Sequence, residues 1–108
     1  MTSTDTQASD RRRDTRAPVD LFMNRFLGGH PYLCVARDVS MTGMRLQTLL
    51  GPHIDTQYIG LQFQLPGSED VLTASGEVIR EGEGEVAVRF THVPSSSQER
   101  LASFLASN

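Results

Sequence analysis

Two polar clusters in this chain carry residue types that could do chemistry together. The first, Arg11-Arg12-Arg13-Asp14-Thr15-Arg16, puts four arginines within six residues near the N-terminus. The second, Asp38-Val39-Ser40-Met41-Thr42-Gly43, begins twenty-two positions after Arg16. A guanidinium fork grips a phosphate through paired hydrogen bonds, and the same fork matches the O6 and N7 edge of guanine. The RxxxR spacing of Arg12 and Arg16 lets two forks converge on one compact anion. In the second cluster, Asp38 can accept hydrogen bonds from the ring N–H and exocyclic amine of a base. Ser40 can donate to a carbonyl or phosphate oxygen, and Gly43 lets backbone approach a ligand closely. Each cluster alone has a plainer reading. A basic hexamer beside a polar tail can be a solubilising patch. The segment DVSMTG can be a strand connection, with Asp and Ser bonding nearby backbone and Gly at a positive φ.

Other chemistries find little support. GxSxG, CxxC, HExxH and GxxxxGK[ST] are all missing from the sequence. His30, His53 and His92 lack metal-ligand spacing and read as surface residues. Glu81, Glu83 and Glu85 cluster in a hairpin, where solvated acids are ordinary. No nucleophile is paired with a base. Cys34 lies in an apolar run and reads as a buried, inert thiol.

The clusters need a scaffold, and 108 residues suffice for one domain. The first ten residues read as a disordered tail and 11–108 as the domain. The tail is polar, so it does not resemble a secretory signal, and no apolar run could span a bilayer. A lone cysteine and the lack of a leader point to the cytoplasm. Net charge is −3, which argues against a general nucleic-acid or membrane-surface binder. All ten basic residues are arginine, so every cationic site offers a planar fork.

Pro18 punctuates entry to a first strand over Leu21–Leu27, and Gly28-Gly29-His30-Pro31 makes a turn. Tyr32–Val39 is apolar except for Arg37, as in a strand buried on most of both faces. Met44 and Leu46 alternate with Arg45 and Gln47 in a third strand. Ile59, Leu61, Phe63 and Leu65 alternate with Gly60, Gln62 and Gln64 in a fourth. Val71–Arg80 and Glu85–Thr91 are two more, joined by a hairpin whose Glu81-Gly82-Glu83-Gly84 joint suggests a loop longer than two residues. Ser96 and Glu99 have capping-box spacing, and Leu101, Phe104 and Leu105 form a helical apolar stripe. The expected fold is mainly β: a closed or nearly closed six-stranded antiparallel barrel, with a short C-terminal α-helix packed on one opening and a flexible N-terminal tail.

Taken together, RxxxR at Arg12 and Arg16, followed by DxSxxG at Asp38, Ser40 and Gly43, resembles the pattern of the PilZ family, bacterial receptors for cyclic di-GMP. Arg11 matches the extra arginine often found just before the family's first motif. Gly76-Glu77-Val78-Ile79-Arg80 and Val86-Ala87-Val88-Arg89-Phe90 look like its closing strands, so the resemblance spans about residues 11–106. One departure is Ala87, where the family often has glycine. The resemblance implies a six-stranded barrel and cyclic di-GMP as ligand, with no cofactor, metal or catalysis. By it, Arg12 and Arg16 bind guanine Hoogsteen edges and phosphates. Asp38 and Ser40 hold a guanine from the opposite side, Gly43 keeps the turn open, and Arg11 contacts a second ligand molecule. Arg13 falls outside the motif.

The expected function is therefore a stand-alone receptor. It signals through ligand-dependent ordering of its arginine segment and altered contacts with a downstream protein partner. A PilZ-like adaptor that works without nucleotide is the alternative, although such members typically lose the arginines. A barrel binding single-stranded nucleic acid would need stacking platforms, and the chain has five Phe, two Tyr and no Trp.

Overall fold

The computed structural model describes residues 15–49 and 57–107. Among these residues six strands follow in order: β1 (Ala17–Leu27), β2 (His30–Val39), β3 (Gly43–Thr48), β4 (Tyr58–Phe63), β5 (Leu72–Gly82) and β6 (Glu85–His92). Among the described residues one helix, α1 (Ser95–Ala106), follows β6. The strands close into an antiparallel barrel in the order β1-β2-β3-β6-β5-β4. Closure leaves no edge strand exposed. Among the described residues, no helix is long and apolar enough to cross a membrane.

Period-two alternation fills the barrel. Met23, Cys34, Ala36, Met44, Leu46, Ile59, Leu61, Phe63, Ala74 and Val88 join one buried cluster. Cys34 is fully buried, and desolvation pushes its thiol up to about 11, with Arg25 pulling weakly the other way. From the helix, Leu101 enters the same cluster while Phe104 and Leu105 pack against it. Arg100 ties α1 to Asp70 on the β4–β5 connection. The helix thus seals the barrel end where β1, β3 and β5 begin.

Three local expectations are corrected. Strand β1 starts at Ala17, so Pro18 lies inside it, paired with Asp38 beside an irregularity in register. A bulge is a place where a strand tolerates a residue lacking an N–H. The β5–β6 loop is only Glu83-Gly84, because Gly82 pairs with Glu85. Both loop residues have positive φ, 47° and 80°, which is how a two-residue turn matches the strand twist. The helix has no side-chain cap. Pro94 is its N-cap at φ −55°, and the Pro94 carbonyl accepts from the Gln98 N–H at 2.9 Å. Helical residues therefore begin before Ser96, so Ser96 and Glu99 both lie inside the helix and cannot form a capping box.

Candidate functional site

A bulge at Arg37 builds the site. On β2, Ala36 pairs with Leu46 and points into the core, and strict alternation would send Asp38 the same way. The register shifts between Ala36 and Asp38, so Asp38 instead faces Arg45 across the ladder. An extra residue re-aims the side chain that follows it. The displaced Arg37 bonds Asp20, in the irregular stretch of β1, and Gln47 on β3. Asp38 thereby reaches the outer face, and Val39 returns to the core opposite Met44.

On that face both Asp38 oxygens are engaged. Arg16 Nη1 donates to Oδ1 at 2.9 Å, and Arg45 Nε donates to Oδ2 at 2.9 Å. Arg45 Nη1 also donates to both oxygens of Glu85, at 3.1 and 3.2 Å. These bonds, to Asp38 first and then Glu85, raise the Arg45 guanidinium above its ordinary value. The Asp38 side chain is 17% exposed, against 48% for Arg16 and 45% for Arg45, so the carboxylate sits at the bottom of an arginine-walled notch. A further pair, Arg89 with Glu77, lies along the same sheet, with Arg89 opposite Gly43.

The turn after Asp38 is tightly organised. Ser40 is fully buried. Its Oγ accepts from the N–H of Thr42 at 3.1 Å and of Gly43 at 3.2 Å, and lies 3.3 Å from the Gly43 carbonyl. The Ser40 N–H donates to the Gly43 carbonyl at 2.8 Å. Gly43 is not at a positive φ. It is glycine for another reason: a Cβ there would lie 2.1 Å from the Val88 carbonyl oxygen of β6. Beside the turn, a groove of about 540 Å³ is lined by Met41, Thr42, Arg89, Phe90 and the start of α1.

Of the residues expected from sequence, Arg16 and Asp38 meet directly, while Ser40 and Gly43 meet within the adjoining turn. Arg11 and Arg12 lie outside the described residues, as do Arg13 and His53. Arg45, Glu85, Arg89 and Glu77 were not anticipated. Their signal was only an outward place in the strand alternation. Among the described residues, no group of His, Cys, Asp and Glu could hold a metal ion. The arrangement sets a recessed carboxylate acceptor between flanking planar cations.

A family model described as PilZ domain matches residues 10–107. The chain belongs to the PilZ domain family. Solved structures share this PilZ fold at low identity. The PilZ domain of YcgR from Escherichia coli with c-di-GMP aligns with a TM-score of 0.68 at 18% identity, covering 90% of each chain. The Bacillus subtilis inhibitor of motility aligns at 0.75 with 14% identity, covering 90% of this chain and 50% of that one. The Borreliella burgdorferi PlzA protein in complex with c-di-GMP aligns at 0.65 with 13% identity, over 96% and 45%. This PilZ domain thus spans about half the length of the last two. No curated protein matches the sequence. In this PilZ domain Ala87, the departure from the family pattern, pairs with Arg45 on one side and Arg80 on the other, within the arginine-walled sheet.

Proposed function

We propose that this PilZ domain is a cyclic di-GMP receptor that passes the signal on through altered protein contacts. The observation that carries the reading is the Arg16–Asp38 pair on the outer face. It joins the two motifs into one notch that offers a guanine both a carboxylate acceptor and a guanidinium fork. The c-di-GMP found with the YcgR PilZ domain and with PlzA supports the same ligand here. In this reading Arg12 and Arg16 grip guanine Hoogsteen edges and phosphates, and Asp38 accepts from a guanine Watson–Crick edge. Ser40 and Gly43 shape the turn that carries Asp38, and Arg11 reaches a second ligand molecule. Arg16 exchanges Asp38 for the ligand, and the arginines before it are drawn onto the barrel. That ordering changes the surface a protein partner meets.

The adaptor reading draws on a separate observation. Phe22 and Leu33 are 72% and 49% exposed on the β1–β2 face, large apolar side chains available to a partner. Calorimetric titration of the pure protein with cyclic di-GMP, cyclic di-AMP and GTP tests the receptor reading. Binding confined to cyclic di-GMP supports it, and no heat with that ligand puts the adaptor in its place.

A further inference from the structure

We propose that Arg45 is a positioning residue of the nucleotide site and that Glu85 anchors it. The inference rests on the receptor reading and deepens it. A guanine Watson–Crick edge carries two donors side by side, the ring N–H and the exocyclic amine. To accept both, a carboxylate must hold its plane and present both oxygens. Arg16 holds Oδ1 of Asp38, but Arg16 is also a ligand-gripping residue and cannot keep that bond while it grips. Arg45 has no such conflict. It stands on β3 directly opposite Asp38 in the ladder, and its Nε holds Oδ2. Its Nη1 is committed to Glu85 on β6.

Each ionised carboxylate oxygen has two acceptor sites, so Arg45 leaves room on Oδ2 for the exocyclic amine. It also keeps Asp38 compensated in charge once Arg16 departs. The chain Glu85–Arg45–Asp38 thus joins three strands, β6, β3 and β2, and fixes the acceptor before the ligand arrives. Preorganisation of this kind lowers the cost of binding. Exposed ion pairs contribute little to folding itself, so the arrangement matters to the ligand more than to the barrel.

The test compares cyclic di-GMP with cyclic di-IMP, which keeps O6, N7 and the ring N–H but lacks the exocyclic amine. Both are titrated by calorimetry into the full chain, wild type and Arg45→Ala. The expected result is an affinity for cyclic di-GMP lowered about tenfold, as for a lost charge-assisted contact. Cyclic di-IMP loses less, so the preference for guanine narrows. A residue that only stabilises the fold would lower both equally. Glu85→Gln leaves Arg45 in place, carries the same narrowing to a smaller degree, and covers an alanine variant that melts early. Wild-type binding with an unchanged guanine preference in both variants overturns the role of Arg45 alone. No binding of cyclic di-GMP by the wild type overturns the receptor reading and this inference with it.

Discussion

Arg16 Nη1 lies 2.9 Å from Asp38 Oδ1, so the last residue of the arginine cluster is joined to the first residue of the DxSxxG turn. The contact bridges twenty-two residues of chain and turns two short motifs into one surface. On the proposed receptor reading, the ligand competes with this internal ion pair. On that reading, Asp38 is a stand-in acceptor that keeps the Arg16 fork in place until a phosphate or guanine edge takes it over.

Arg16→Ala therefore acts on binding far more than on folding. An exposed ion pair is worth about 0–1 kcal/mol to stability, whereas a charge-assisted contact to a ligand is worth about 1.5–3 kcal/mol. The expected outcome is a loss of at least about tenfold in cyclic di-GMP affinity by calorimetry with little change in the melting curve. Unchanged affinity would remove Arg16 from the site.

How far these features were legible depends on whether local pattern or long-range pairing made them. Strand β4 could be read directly, because Ile59, Leu61 and Phe63 are all buried and alternate with more exposed neighbours. Leu101 was legible as the core-facing residue of a helical stripe. The outward aim of Asp38 was not, since alternation from Ala36 sends it inward and only the bulge at Arg37 reverses that. Nor could any pattern reveal the Arg45–Glu85 pair, whose members are forty residues apart and meet only because β3 and β6 are neighbours in the barrel. Ser96 and Glu99 misled because a capping box was spelled out two residues too late, after Pro94 had already begun the helix.

Burial of Cys34 makes a pH prediction. Its folded pKa, about 11, stands above the ordinary thiol value of 9.0, mainly through desolvation. The folded state therefore holds the proton more tightly than the unfolded state. This contribution to stability is full below pH 9 and is lost as pH rises through the folded value. Denaturant melts across that window should show declining stability, and Cys34→Ala should flatten the decline. A disulfide reagent near neutral pH should label native protein slowly and denatured protein fast. Rapid native labelling would contradict the buried thiol.

Ser40→Ala removes the acceptor for the Thr42 and Gly43 amides. The Gly43 amide is buried, and a buried donor left without a partner costs about 1–3 kcal/mol. The melting temperature should fall, and hydrogen exchange should quicken at Thr42 and Gly43 ahead of the barrel strands. Exchange that rises evenly across the barrel would mean that Ser40 is a general core residue and not the clasp of this turn.

Gly43→Ala is the substitution that couples fold and site most directly. The added Cβ would sit 2.1 Å from the Val88 carbonyl oxygen, a backbone atom of β6 that cannot swing aside as a flexible side chain could. Relief must come from separating β3 and β6 at their first pair, Gly43 with Arg89. That shift would also strain the Phe90 N–H to Thr42 carbonyl bond, 2.7 Å long, which ties the turn to β6. Overpacking of this kind typically costs about 1–3 kcal/mol. For a domain of this size, each 1 kcal/mol lowers the melting temperature by about 4–8 °C. Calorimetric melting should show that fall. Binding measured well below the transition should be weaker than in Arg16→Ala, because the shift moves the turn and the Arg89 side of the sheet together. A Gly43→Ala variant that melts like wild type would mean the two strands give way without cost, and that the glycine serves the ligand alone.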